Sequence, residues 1–406
     1  MSESPEQVAS AAARGVPTVC IAPVGRAVDG TPILEISLQS SRGTRAALLS
    51  LGATLRSLVT PDARGALDDI VLGFDRPEDY LAGRHYFGAT VGRYANRIAR
   101  GHLRIGDRDY GLALNDPPNA EHGGEEGFSR RPWQLVRTAE QPATCSATLA
   151  LLSPDGDQGY PGELAVEVTY SLSDAEELRI DYRAVSDADT VINLTHHSYW
   201  NLAGAGGGSA LGAQLRIEAD EFTPVGPDLI PTGELRAVEG TAFDFRRPRA
   251  LAESIRDGSD PQLRFGRGYD HNFALRGPAG MLRTVATLHE PRSGRILEIA
   301  TTEPGLQLYT GNFLDGTVLG KGRRLYRQGD GIALETQHFP DSPHQPHFPT
   351  TLIERGHVWR SSTIYRFRTA GDDVPTSHCD MVSSDQCKSG QETREIIGWP
   401  SGEPRT

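Results

Sequence analysis

Adjacent histidines stand at the centre of the run THHSYWNLAG, Thr195 to Gly204. His196 and His197 follow a strand-like stretch, TVINL, and precede Tyr199, Trp200 and a turn of small residues. Imidazole is the side chain whose unperturbed pKa lets it both give and take protons near neutrality. In an extended segment neighbouring side chains point to opposite faces, so only one of the two histidines can face a given cleft. A proton-transferring group beside aromatic rings suits chemistry on a sugar hydroxyl, provided that a base stands opposite.

Glu335 is the natural partner. It directly follows the apolar run Ile332 to Leu334, which reads as a buried strand. A carboxylate at the end of such a strand must be paired or functional. Further polar residues gather beside turns: Asn96 and Arg97 in GRYANRIARG, His122 before a glycine pair in NAEHGG, and Asp270 in GYDHNFAL. Taken singly, each has a structural explanation. Asp270 and Asn96 are ordinary turn formers, Arg97 is a surface charge or a partner for an acid such as Asp270, and Glu335 is half of a buried salt bridge. Tyr199, Trp200 and Phe313 are each able to offer an apolar face to a sugar ring, and each fits a core equally well. A cluster of His338, His344 and His347 is broken by Pro340, Pro343 and Pro346. That spacing cannot place the rings one helical turn apart, so no metal site is expected there.

The elements that must position these groups show a period of two. Val166, Val168, Tyr170 and Leu172 alternate with polar residues, and after Ser173-Asp174 the pattern returns with Leu178, Ile180 and Tyr182. This predicts an antiparallel hairpin, and RTVATLHEPRSGRILEIATTE predicts a second that turns at Pro291 to Gly294. Helices are expected only at Asp75 to Leu81 and Ala250 to Gly258. The glycine-rich run Gly204 to Gly212 lacks the ending of a phosphate-cradling loop and is expected to be an open loop. The fold class is therefore all-β, a large antiparallel β-sandwich.

Bulk properties narrow the partners. The chain has 406 residues and a net charge of −12 with no long basic run, which argues against nucleic acid or an anionic membrane. A small, weakly charged ligand fits better. Cys20, Cys145, Cys379 and Cys387 form no C-x-x-C pair. The polar start and the lack of a membrane-spanning apolar window imply a cytoplasmic protein. Composition predicts disordered tails at residues 1–16 and 370–406 around a single domain at 17–369.

The quoted motifs, with EPGLQLYTGNFLDGT from Glu303 to Thr317, together resemble the aldose 1-epimerase (galactose mutarotase) family. They occur in the family's order across roughly Pro17 to Thr369. The resemblance implies a galactose mutarotase-like supersandwich with an open sugar-binding groove and no metal or organic cofactor. It implies that His197 is the proton donor and Glu335 the general base. Asn96, Arg97, His122, Ser198, Tyr199, Asp270 and Gln307 are the implied substrate contacts. The implied substrate is a free aldohexose, galactose or glucose, with monomer or homodimer left open. Two alternatives stand beside it: a hexose 6-phosphate mutarotase, with Arg84, Arg93 and Arg100 as possible phosphate partners, and a catalytically silent sugar-binding module.

Overall fold

A computed structural model describes residues 15–83 and 85–371. Strands dominate, and the longest sheet accounts for the alternation seen in the sequence. A nine-stranded sheet runs in the spatial order Gln134–Gln141, Thr144–Ser153, Leu164–Ser173, Glu177–Ser186, Val358–Thr369, Arg295–Thr301, Arg283–Glu290, Gln214–Ile217, Arg249–Ala250. Its neighbours are antiparallel throughout. Both expected hairpins are present: Leu172 pairs with Leu178, and Glu290 with Arg295. A five-stranded sheet from Thr18–Arg26 to Leu67–Asp69 closes one side.

The second long sheet carries the site. Its order is Tyr199–Trp200, Ile332–Gln337, Gly305–Tyr309, Asp270–Leu275, Ala219–Phe222, Arg236–Ala237. Leu334, Leu308, Leu306 and Phe273 belong to the main apolar core. Thr336, on the Leu334 face, meets Thr363 of the nine-stranded sheet with 2.7 Å between hydroxyls. The other face therefore presents Glu335, Gln307, Tyr309 and Asp270, because residues directly opposite in register share a face. This strand is buried on both faces, which is why its sequence is a continuous apolar run that ends in an acid.

Helices are few and short, as expected, but not all lie where the sequence puts them. Asp79–Ala82 is one turn that overlaps the end of one expected segment, and Leu251–Glu253 is a single 3₁₀ turn inside the other. The first residue of that second segment, Ala250, is used in the sheet, paired with Gln214. A six-residue helix at Pro261–Gly266, outside both expected segments, carries local signals of its own. Asp260 caps it by accepting from the Gln262 amide at 2.8 Å, and Pro261 opens it. No helix among the described residues is long and apolar enough to cross a membrane. The tails expected at 1–16 and 370–406 lie almost wholly outside the described residues.

Trp200 belongs to the core rather than to a sugar platform. It is 1% exposed and packs on Tyr365, with ring centroids 5.1 Å apart. Trp200→Ala should cost about 3–5 kcal/mol of stability by chemical denaturation, as for other buried aromatic truncations. A loss below about 1 kcal/mol would contradict this placement.

Candidate active site

Parity explains how THHSYW builds a wall. His197 and Tyr199 face a cavity of about 370 Å³, whereas His196, Ser198 and Trp200 face inward. The His196 ring nitrogen Nε2 lies 2.8 Å from the Ser198 hydroxyl, so each satisfies the other inside the protein. Ser198 is thus not a lining residue, which corrects its assignment as a substrate contact. The cavity volume falls within the ~300–1,000 Å³ range of small-molecule sites.

Asn96, Arg97, His122, His197, Tyr199, Asp270 and Glu335 all line this one cavity, although they come from five separate chain segments. His197 Nε2 lies 3.6 Å from Glu335 Oε1, with both side chains nearly inaccessible to solvent. Glu335 Oε2 and His197 Nδ1 have no hydrogen-bond partner among the described residues. Gln307 stands one step behind: its amide donates to Asp270 Oδ1 at 2.7 Å. Of the proposed aromatic platforms, Tyr199 and Phe313 line the cavity and Phe313 is 46% exposed.

Burial dominates the electrostatics. It pushes the Glu335 carboxyl well above its ordinary range, and the charges of Asp270 and Glu121 add to the effect against Arg97. It pushes the His197 imidazole well below its usual value, with His122 adding to it. Asp270 is raised to about 6 by burial, with Arg97 and Gln307 opposing. For Arg97 burial acts to lower the pKa, but Glu121, Asp270 and Asp116 outweigh it and hold the guanidinium charged. Its Nε donates to Asp116 at 2.7 Å and its NH2 group lies 2.6 Å from Glu121.

His122 is held by backbone. The Asn96 amide donates to His122 Nδ1 at 3.1 Å, and the His122 amide donates to the Asn96 carbonyl at 3.0 Å. The glycine after it is required, since a Cβ on Gly123 would sit 2.0 Å from the Gly92 carbonyl oxygen. Because Nδ1 accepts, the neutral ring carries its proton on Nε2 and acts as a donor. Ring and carboxylate atoms of His122, His197 and Glu335 lie within 4.8 Å of one another, close enough to gather a metal ion. The fixed Nε2 proton works against such ligation, since metal binds the lone pair of neutral imidazole. The three loop histidines are spoken for separately. His338 pairs with Glu303, His344 with Asp341, and His347 with the Gly233 carbonyl, each at 2.6 Å.

Residues 35–366 match the family described as Aldose 1-epimerase. The chain belongs to the aldose 1-epimerase family. It is 44% identical to galactose mutarotase of Bos taurus over 336 residues, 83% of this chain and 94% of that protein. It is 36% identical to aldose 1-epimerase of Escherichia coli K12 over 343 residues, 84% and 97% of the two chains. Among solved structures, the GalM/aldose epimerase homologue of C. elegans superposes with a TM-score of 0.74 at 33% identity, covering 81% of this chain and 97% of that one.

Several lining residues of this aldose 1-epimerase family member were not picked out from sequence. Asp116 and Glu121 clamp Arg97, and Tyr86 and Tyr309 add aromatic walls. Glu121 had a signal, being the immediate neighbour of His122. Tyr309 had one in the period of two from Gln307. For Asp116 and Tyr86 only the tertiary fold brings them in.

Burial and the Arg97 charge hold His122 down to about 3. Nitrogen-15 NMR should find His122 neutral with its proton on Nε2 down to about pH 4. A ring titrating near its unperturbed value, about 6.5, would contradict the environment described.

Proposed function

We propose that the chain interconverts the α and β anomers of free aldohexoses, galactose and glucose, with Glu335 as general base and His197 as general acid. The carrying observation is the 3.6 Å approach of these two groups in one cavity. Ring opening removes the proton from the C1 hydroxyl and adds one to the ring oxygen. Both oxygens are bonded to C1, so the base and the acid must converge on neighbouring atoms.

The cycle balances without an external reagent. Glu335 takes the hydroxyl proton as C1=O forms, the bond from C1 to the ring oxygen breaks, and His197 protonates that oxygen. Rotation about C1–C2 turns the other carbonyl face to the ring oxygen. Reclosure returns both protons. During the open-chain stage the pair is carboxylic acid plus neutral imidazole, the two forms that burial favours. The dry cavity therefore favours the protonation state of the open-chain stage, and the ion pair that starts the cycle is held against burial by attraction across 3.6 Å. Arg97, His122 and Asp270 anchor the hydroxyls, with Gln307 orienting Asp270 and Asn96 orienting His122. Tyr199 contributes an apolar wall.

The names of the relatives support the same reaction. A hexose 6-phosphate is a poorer fit. Among the described residues Arg97 is the one Lys or Arg lining the cavity, against Asp116, Glu121, Asp270 and Glu335. Arg93 is buried elsewhere, donating to the Pro161 and Gly162 carbonyls at 2.8 Å. Arg100 does not line the cavity, and Arg84 lies outside the described residues. A silent binding module has no use for a matched acid and base. A cytoplasmic setting is supported by Cys20 and Cys145, both free thiols.

Polarimetry of freshly dissolved α-glucose or α-galactose should show faster decay with the protein and no added cofactor. Glu335→Gln and His197→Asn should each lower kcat by about 10²-fold or more with the fold intact; near wild-type rates would remove the assigned roles. Glucose 6-phosphate should be turned over far more slowly than glucose.

Asp270 gives a pH test. Its ionised form is the stronger hydroxyl acceptor. Sugar affinity should therefore rise as pH passes upward through about 6, the value to which burial lifts this carboxyl. Calorimetric titration should show that rise in the wild type and not in Asp270→Asn; a pH-independent wild type would contradict it.

A further inference from the structure

Two tyrosine rings lie almost parallel to the His197 imidazole. Tyr199 is 5.0 Å away, centroid to centroid, at an interplanar angle of 23°, and Tyr86 is 5.8 Å away at 24°. Tyr199 reaches this place because residues two apart in an extended segment share a face. Tyr86 reaches it from a different loop and an unusual backbone, with φ of 53° at a bulky aromatic residue. Side chains of that size rarely adopt the left-handed region, and where they do the surroundings enforce it.

The enforcement is visible. The Gly88 amide donates to the His197 carbonyl at 2.9 Å, and the Ala89 amide closes a turn onto the Tyr86 carbonyl at 3.0 Å. A Cβ on Gly88 would sit 2.1 Å from the Leu55 carbonyl oxygen, so the loop is pressed against the sheet beneath it. The Tyr86 ring also tilts over His122, with centroids 4.6 Å apart. The loop thus delivers one aromatic ring to both cavity histidines.

The proposed reaction needs His197 charged in the closed-ring state and neutral in the open one. Burial alone opposes the charged state. A cation against an aromatic face is stabilised by the negative face of the ring quadrupole, most strongly where water is excluded. We propose that Tyr86 and Tyr199 form an aromatic bracket that stabilises the His197 imidazolium, making both of them positioning residues for the proton donor. Tyr199 then acts on the imidazole as well as walling the sugar site. The inference rests on His197 being the acid.

The test replaces Tyr86, and separately Tyr199, in the full-length chain with phenylalanine and then with mono-, di- and trifluorophenylalanine. Fluorination drains the ring face of negative potential while barely changing its shape, so folding and packing are held constant. Each step should lower kcat, by about tenfold across the series at Tyr199 and less at the more distant Tyr86. The alkaline limb of the kcat profile should move to lower pH in parallel, because the imidazolium loses its proton more easily. Equal kcat and an unmoved limb from phenylalanine to the trifluoro form at both positions would overturn the bracket. If His197→Asn instead keeps full activity, the acid assignment itself fails, and that outcome is read independently of the series.

Discussion

A carboxyl and an imidazole held together out of water is the constraint on which the rest of this molecule depends. Glu335 is 2% exposed and His197 3% exposed. Taking either charge out of water singly costs several kcal/mol. As a pair they carry no net charge in either arrangement of one proton, so the site tolerates both arrangements. Mutarotation moves the pair between those two arrangements. The surroundings tune the balance: acids near Glu335 strengthen it as a base, burial and His122 make the His197 imidazolium a strong acid, and the flanking tyrosine rings offset part of the cost of burying its charge.

Sheet register delivers this geometry. Gln307 lies directly opposite both Asn272 and Glu335, and Tyr309 lies opposite both Asp270 and Ala333. Slipping any of these strands by one residue would send Glu335 or Asp270 into the apolar core and bring Leu334 or Phe273 to the cavity. The apolar face of the sheet locks the register, since Leu306, Leu308 and Leu334 are all fully buried against the core. Core packing on one face thus fixes acid positions on the other. The Arg97 wall is built differently, from a clamp by Asp116 and Glu121 and from the mutual backbone bonds of Asn96 and His122. Left-handed backbone at Asn96 and His122, with φ of 61° and 48°, makes those bonds possible.

The antiparallel β class and the two hairpins were legible in the sequence, because a period of two survives in half-buried strands. Parity was also legible. Alternation along this segment sets His196, Ser198 and Trp200 together on the inward face, opposite His197 and Tyr199. The Arg97 clamp was less accessible, because Asp116 sits in a turn whose position is set by tertiary contacts. Tyr86 was invisible for a related reason: its left-handed conformation is imposed by neighbouring backbone, not by its own type. The helix at Pro261–Gly266 shows the opposite case, a local signal, Asp-Pro before an apolar turn, that was simply short.

The most direct measurement is a crystal structure of the Glu335→Gln protein soaked with galactose. One hexose should occupy the cavity, with the residue 335 amide within hydrogen-bond distance of the C1 hydroxyl and the His197 ring within hydrogen-bond distance of the ring oxygen. A hexose bound there with its anomeric carbon turned away from both side chains, or bound in another cavity, would contradict it.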